Sequence, residues 1–350
     1  MHKKLAELAA LTTVPVLAAG LAGCGLQSGS GSEGGLDVNR VRVVLGSSST
    51  TADTYQNSHA FTTHVGDELG VGMKADAIGA NKAFQALDSA KTDGSTIMFF
   101  HDMAYLSVKY GAQPEKFALE NWKVGPMVST NPGAAFLAAD EAPYDTLAQA
   151  ATWLKDNPGE DLTFAVEAGG TSELSLDAFY IWVKDKYGTK IAERIKILAT
   201  GSDEKKNQAL WAGNVDIIYG SIAGNEQYTK GDVKDKVKEK FLGITASKPV
   251  EGYDIPTFKQ QGIKIDGAPF TFDKEFFLLM PKDIDKGFRQ ALDEATAKAI
   301  KTDAYVEELK KNKFVPNYVP IEQSREYIEQ KRERLESIID QAPEFSDLVG

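Results

Sequence analysis

The sequence feature that most constrains the fold is a regular alternation of short apolar runs with amphipathic stretches, which begins at Val41. Such alternation is typical of sheets with helices packed on their faces, and Gly or Pro follows where the helices end. We therefore predict an α/β fold of mostly parallel sheets flanked by helices. The predicted strands are 41–45, 73–78, 96–100, 134–139, 162–166, 195–199, 215–219, 241–245 and 275–280, and the predicted helices are 54–69, 82–90, 146–156, 173–187 and 203–212.

The last part of the chain, residues 284–339, has helical periodicity and dense charge, as a solvated helical face does. With 350 residues the chain is long enough for one large or two medium domains. Its net charge of -11 argues against nucleic acid as a partner, because a phosphate backbone needs a basic surface.

The N-terminus has the pattern of an export signal. Two lysines precede a mostly apolar run, and the tetrad Leu-Ala-Gly-Cys ends at Cys24. This tetrad resembles the bacterial lipobox, in which cleavage precedes the cysteine and its thiol is lipidated. The alternative is a chance cysteine beside an ordinary signal peptide. Because Cys24 is the only cysteine, an intrachain disulfide and a thiolate metal cluster are both excluded.

Residues 24–37 follow the signal peptide at 1–23 and are rich in Gly and Ser, a composition typical of a flexible tether. The sequence has no second apolar segment long enough to cross a bilayer. We therefore expect an extracytoplasmic, monomeric lipoprotein that contacts the membrane only through its lipid anchor.

The loop after the first strand is a candidate anion site. It reads Gly-Ser-Ser-Ser-Thr-Thr-Ala-Asp from Gly46 to Asp53, with five consecutive hydroxyl residues between a strand and a helix. A helix start offers unpaired backbone N–H groups and a positive dipole end, so it binds anions without basic side chains. The alternative is a polar turn with a helix cap.

A second loop, Ala168 to Ser172, has the same position in a later strand–helix unit and contains two adjacent glycines. It is not a phosphate-binding P-loop, because the lysine of that motif is missing. Ligands of open α/β sheets bind at the carboxyl ends of strands, where both loops belong. Together the loops predict a pincer for a carboxylate that needs no cofactor.

Catalytic and metal-binding patterns are sparse. His59 and His64 are five residues apart and do not share a helical face as a four-residue spacing would. His101 and Asp102 end a strand, but no Gly-x-Ser-x-Gly nucleophile elbow accompanies them. The four histidines form no spaced ligand cluster, so we expect no metal. A lipid-anchored hydrolase that uses His101 or Asp53 is the enzymatic alternative to a binding protein.

The order of several segments resembles that of the periplasmic receptors of tripartite tricarboxylate transporters, the TctC or Bug group. The likeness extends from about residue 41 to residue 314 and rests on no single motif. The segments that carry it are 78–81 (IGAN), 92–97 (TDGSTI), 146–154 with NPG at 157–159, the loop 168–172, 210–216 (LWAGNVD) and 255–262 (IPTFKQQG).

The resemblance implies a two-lobed fold like that of type II periplasmic binding proteins, with lobe one at 38–138 and 268–350 and lobe two at 139–267. The lobes would close on a small carboxylate, a di- or tricarboxylate among the options, held mainly by backbone N–H groups. Two membrane subunits of a tripartite transporter would be the partners, or a membrane signalling protein if the chain is a sensor. The expected ligand-binding residues are Ser47, Ser48, Ser49, Thr50, Thr51, Asp53, Asn81, Ala168, Gly169, Gly170, Thr171, Ser172 and Asp216.

The first loop departs from the family pattern in one respect. Ser49 and Thr50 occupy the place of a Gly-Gly pair and Asn57 that of an arginine, whereas Asp53 keeps the family's aspartate. Ser and Thr restrict the backbone and add hydroxyl donors, so we expect a different ligand geometry or identity. Asp53 would either contact the ligand or cap its own helix.

Overall fold

A computed structural model describes residues 36–50 and 52–350 of the chain. The predictions for the signal peptide, for Cys24 and for nearly all of the tether lie outside the described residues, as does that for Thr51. None of the described helices combines the length and the apolar character needed to cross a membrane.

The described residues form two mixed sheets with helices on their faces. The strands are β1 (Arg40–Leu45), β2 (Gly72–Ala77), β3 (Thr96–His101), β4 (Trp122–Asn131), β5 (Ala135–Ala139), β6 (Leu162–Val166), β7 (Ile195–Ala199), β8 (Ile217–Gly220), β9 (Glu239–Ile244), β10 (Lys264–Ile265), β11 (Ala268–Pro269), β12 (Lys274–Pro281) and β13 (Val315–Val319). The helices are α1 (Asp53–Leu69), α2 (Ala80–Asp88), α3 (Met103–Lys109), α4 (Leu147–Asp156), α5 (Thr171–Tyr187), α6 (Thr189–Ala192), α7 (Asp203–Trp211), α8 (Ile222–Asn225), α9 (Lys286–Ala299), α10 (Asp303–Lys311), α11 (Ile321–Ile339) and α12 (Phe345–Leu348).

The larger sheet has six strands in the order β13-β4-β12-β3-β1-β2, and the smaller has five in the order β7-β6-β8-β5-β9. In the larger sheet β1 is parallel to β2 and β3, whereas β12 is antiparallel to β3 and β4. In the smaller sheet β6 is parallel to β7 and β8, whereas β5 is antiparallel to β8 and β9.

The predicted α/β class is confirmed, but the sheets are mixed and not mostly parallel. The antiparallel strands adjoin the places where the chain passes between the sheets: β4 leads directly to β5, and β12 returns after the smaller sheet is complete. No helical crossover links these strands to their sheet neighbours, so the strand–helix alternation does not set their direction.

Apolar side chains on both faces of the sheets form the core. On one face of the larger sheet, Phe61 of α1 packs on Phe99 of β3, with ring centroids 5.6 Å apart. Another buried cluster includes Phe100 of the larger sheet and Phe136 and Phe164 of the smaller one. Each such side chain contributes about 1.5–3 kcal/mol when fully buried. This second cluster runs from one sheet to the other and holds their adjoining ends in place.

The helical pattern predicted for residues 284–339 is interrupted at 315–319, where β13 lies on the edge of the larger sheet beside β4. The remainder of that stretch forms α9, α10 and α11. The strand β4 and the helix α3 were not predicted.

Candidate ligand-binding site

Each of the two predicted loops follows the carboxyl end of a strand and leads into the N-terminus of a helix. The first loop, residues 46–53, joins β1 to α1, and the second loop, residues 168–172, joins β6 to α5. The chain can leave β1 in this direction only because Gly46 lacks a side chain. A Cβ at that position would lie 1.9 Å from the ring of Phe100.

The first loop is held by its own hydroxyl groups and by the start of α2. The Ser49 amide donates to Ser47 Oγ at 3.1 Å, and the Gly79 amide donates to the Ser47 carbonyl at 3.2 Å. Ser48, Ser49 and Thr50 are exposed. This loop therefore presents backbone and hydroxyl groups at the surface.

The N-terminus of α1 already holds a carboxylate. The Thr54 amide donates to Asp53 Oδ1 at 2.6 Å, and the N-cap residue Ala52 has no side-chain acceptor. Because Asp53 places its negative charge at the positive end of the helix dipole, it stabilises the helix as a cap does. An external anion would meet this charge in the first loop.

The second oxygen of Asp53 binds a lysine from β12, two strands from β1 in the larger sheet. Lys274 Nζ, at the start of β12, lies 2.5 Å from Asp53 Oδ2, and Asn131 Nδ2 donates to the same oxygen at 3.3 Å. The side chains are 26% exposed for Asp53 and 14% exposed for Lys274. Burial opposes both charges, but the pair prevails: the pKa of Asp53 is held well below its usual value and that of Lys274 well above.

His101 is a neutral donor next to this ion pair. Burial, reinforced by the charge of Lys274, lowers the pKa of His101 to about 3. Its Nδ1 accepts from the Met103 amide at 3.3 Å, so Nε2 carries the proton. The lone pair of Nδ1 is therefore used by a backbone amide. The neighbouring Asp102 binds Lys331 at 2.7 Å and the Glu275 amide at 2.8 Å, inside the fold.

Internal hydrogen bonds fix the second loop. Gly169, at a φ of 75°, donates its amide to Glu173 Oε2 at 2.6 Å. Ser172 Oγ accepts from the Glu167 amide at 2.9 Å and donates to the Glu167 carbonyl at 2.8 Å. Ala168 is exposed at the loop tip. The side chains that commonly cap a helix start are thus directed back towards β6.

As a result, the N-terminus of α5 is open in the sense that its first amides lack an acceptor, although Thr171, Ser172 and Glu173 are themselves buried. Its N-cap residue, Gly170, has no side chain, and within the described chain the amides of Thr171, Ser172 and Glu173 have no hydrogen-bond acceptor. A Cβ on Gly170 would lie 2.9 Å from Met103 Cε, so α3 closely approaches this helix end. Three amides at the positive end of a seventeen-residue helix are well suited to a carboxylate.

The two loops converge through Tyr219 of β8. Its hydroxyl lies 3.0 Å from Thr171 Oγ1, and the tyrosine also interacts electrostatically with Lys274 and Asp53. We call this set of residues the inter-sheet junction: Asp53, His101, Thr171, Tyr219 and Lys274. Tyr219 therefore bonds to the first residue of α5 and interacts electrostatically with the ion pair of the larger sheet.

Two other predicted ligand-binding residues lie apart from the junction contacts. Asn81 is exposed in the first turn of α2 and accepts from Gln85 at 2.8 Å. Asp216 accepts from the Thr163 amide at 2.7 Å, at the amino ends of β6 and β8. The second loop follows the carboxyl end of β6, so Asp216 lies at the opposite end of the smaller sheet and joins two strands there.

Other polar residues that the sequence singled out, His59, His64 and Asn57, make contacts between secondary-structure elements. His59 Nδ1 and His64 Nε2 lie 3.4 Å and 2.9 Å from the two oxygens of Glu308, so both histidines of α1 face α10 despite their five-residue spacing. Asn57, in the place of the family's arginine, is buried and donates to Ser129 Oγ at 2.5 Å. Within residues 36–50 and 52–350, no group of three or more His, Cys, Asp or Glu is arranged to hold a metal ion.

Comparison with known proteins identifies the fold. The family model described as tripartite tricarboxylate transporter family receptor matches residues 59–343. Solved structures with the same fold include MatC from Rhodopseudomonas palustris with bound malate, which is 17% identical and aligns over 86% of this chain and 99% of its own, with a TM-score of 0.66. Another R. palustris protein, with adipate, is 14% identical over 86% and 96% of the two chains, with a TM-score of 0.67. A TctC solute-binding protein from Polaromonas is 17% identical over 86% and 98%, with a TM-score of 0.63. No curated protein matches the chain.

Proposed function

We propose that this chain captures a small carboxylate outside the cytoplasm and delivers it to a membrane transporter. The premise is that the chain belongs to the tripartite tricarboxylate transporter family of receptors. The family consists of solute-binding receptors, and two neighbours in fold were solved with malate and adipate. Carboxylate binding by this chain is the conclusion that its own site supports best.

The observation that carries the proposal is the open N-terminus of α5. Three amides without acceptors lie beside the Thr171 hydroxyl, and the Tyr219 hydroxyl lies 3.0 Å from Thr171 Oγ1. A carboxylate there would accept several hydrogen bonds and interact with the helix dipole, as anions at helix starts do. The second loop, one half of the predicted pincer, would therefore bind the carboxylate mainly through backbone N–H groups.

Location and partners complete the proposal. Cys24 would be lipidated after removal of residues 1–23, and the Gly/Ser tether would let the folded part reach the transporter at the membrane surface. Two membrane subunits would receive the ligand when two lobes, at 38–138 with 268–350 and at 139–267, open. Asp216 has no part in this site.

Ligand binding is tested by thermal shift and calorimetry of the protein with malate, adipate and a panel of shorter mono- and dicarboxylates. A ligand that binds only the folded state raises the melting temperature by mass action. Sugars and divalent cations serve as the comparison set. A response confined to that set, with every carboxylate inert, would overturn the proposal.

A substitution locates the site. Gly170→Val places a side chain where Met103 approaches α5, so we expect carboxylate affinity to fall by at least roughly tenfold while the protein stays folded, since a flexible methionine end can shift. Gly159→Val is the matched control, because a Cβ at Gly159 contacts nothing within 4 Å. Equal affinity in the two variants would remove the second loop from the site.

A further inference from the structure

We propose that the receptor selects carboxylates that carry a single net negative charge, and that it discriminates against di- and tricarboxylates. This inference rests on the proposed function, and it departs from the di- or tricarboxylate that the family resemblance implies. It follows from the charges that already occupy the inter-sheet junction.

The two halves of the junction differ in what they offer an anion. The N-terminus of α5 keeps three amides without an acceptor, although the Glu173 carboxylate lies at the same end and accepts from Gly169. At the N-terminus of α1 the Asp53 carboxylate already accepts from the Thr54 amide. A ligand with two carboxylates would have only one helix end available. Its second carboxylate would face Asp53 in the first loop, and like charges at close range repel.

The lysines near the junction are already neutralised. Lys274 is paired with Asp53 at 2.5 Å. Lys206 lies over the Tyr219 ring, with Nζ 4.9 Å from the centroid, and is paired with Asp203 at 2.6 Å. Each cation therefore brings its own anion to the junction. The ligand's first carboxylate has the helix dipole as its counter-charge, and a second would have none.

The Glu167 carboxylate adds a further negative charge near the junction. Glu167, at the end of β6, adjoins the second loop and interacts electrostatically with both Lys274 and Lys206. Asp53, Asp203, Glu167 and Glu173 thus oppose two lysines, and the side chains around the N-terminus of α5 carry a net negative charge. A dianion would therefore meet more like-charge repulsion at this helix end than a monoanion does.

The remaining donors suit an uncharged acceptor. Lys274 Nζ has three protons and one carboxylate partner, and the neutral His101 of the junction has a proton on Nε2. A hydroxyl, carbonyl or amide oxygen on the distal part of the ligand would accept from these groups without adding charge. The substrate class is therefore a monocarboxylate with a polar uncharged arm, such as a hydroxy acid or a half-amide.

The test compares ligands that differ only in charge. Succinate with monomethyl succinate, and adipate with monomethyl adipate, are titrated into the full chain at about pH 8, where free carboxyl groups are ionised. We expect each half-ester that binds to do so at least roughly tenfold more tightly than its diacid. Equal or tighter binding of the diacids would overturn this inference and leave carboxylate reception intact. Binding of neither member of either pair, nor of any simple carboxylate, would overturn both.

Two variants test the cause. Asp53→Asn and Glu167→Gln each remove one negative charge from the junction, so we expect either to shift the half-ester preference by roughly tenfold towards the diacid. Asp140→Asn is the charge-matched control, because Asp140 pairs with Lys238 at 2.7 Å on the surface. The Glu167 side chain makes no hydrogen bond among the described residues, so its variant keeps the test available if Asp53→Asn fails to fold. If Glu167→Gln and Asp140→Asn prefer the half-ester over the diacid to the same degree, the negative charge of the junction does not set the selectivity.

Discussion

The ion pair between Asp53 and Lys274 gives the sharpest prediction about how the site is built. Lys274→Met removes the cation and retains much of the apolar stem, so Asp53 keeps the Thr54 amide, the Thr54 hydroxyl and Asn131 as hydrogen-bond partners. Removing one partner of a buried pair typically costs about 3–5 kcal/mol, and exposed pairs contribute about 0–1 kcal/mol. With 14% and 26% exposure for the two side chains, we expect a loss of about 2–3 kcal/mol in the free energy of unfolding near neutral pH.

The pH dependence of that loss is fixed in sign. In the wild type, Lys274 depresses the pKa of Asp53 in the folded state, so the stabilisation is present above the unfolded pKa of about 3.9 and is lost as pH falls through the folded value. In Lys274→Met, burial acts on Asp53 without a cation and raises its pKa. The variant's deficit therefore shrinks as the pH falls below about 4.

Urea denaturation measures the deficit through the midpoint at an unchanged slope. A double-mutant cycle with Asp53→Asn and Asp53→Asn/Lys274→Met isolates the pair, and we expect a coupling energy of about 2 kcal/mol. A coupling below about 0.5 kcal/mol, or a deficit that does not change with pH, would refute the reasoning.

Three further predictions concern other buried groups. Burial raises the pKa of Glu239 to about 7, so the free energy of unfolding should fall as pH rises from about 4.5 to about 7, and Glu239→Gln should remove most of that slope in urea titrations. Tyr219→Phe deletes the hydroxyl that meets Thr171, and calorimetry should show roughly three- to tenfold weaker carboxylate binding with little change in melting temperature. Gly46→Ala forces a methyl group into the Phe100 ring and should cost about 1–3 kcal/mol or more, whereas Gly201→Ala, which meets nothing within 4 Å, should stay within about 0.5 kcal/mol.

The sequence predicted well those elements whose local pattern and packing agree. The apolar run of β1 and the helix that ends at Gly70 lie within a residue of the predicted bounds, and Gly70 adopts a φ of 72° as a helix-ending glycine does. The strands β6 and β7 match their predicted bounds. In each case the residues that favour the element locally are also the ones buried by the fold.

The strand β4 was missed because its centre contains Gly125 and Pro126, which normally indicate a turn. In the structure a Cβ on Gly125 would lie 2.7 Å from Leu278 Cβ, and the pairing with β12 is irregular around this point. Close packing against β12 and an irregular register accommodate both residues. Such a requirement depends on a strand some 150 residues away in the chain, so no local pattern reveals it.

In the candidate site, too, local pattern predicts some features and distant contacts determine the others. The positions of the two loops followed from strand–helix order, but Lys274 did not, because it is 221 residues from Asp53 in sequence. Its one local signal is a lysine at the start of the otherwise apolar strand Lys274–Pro281. The occupied end of α1 was among the alternatives for Asp53, and only the three-dimensional contacts distinguish the cap and the ion pair from a free carboxylate.

We propose that the N-terminus of α5 holds the ligand carboxylate. A crystal structure of the protein with its tightest-binding carboxylate tests this most directly. We predict carboxylate oxygens within about 2.7–3.2 Å of the amides in the first turn of α5, with Lys274 still bound to Asp53. A ligand bound away from Thr171, or one whose carboxylate displaces Asp53 from Lys274, would show that the first turn of α5 is not the carboxylate site.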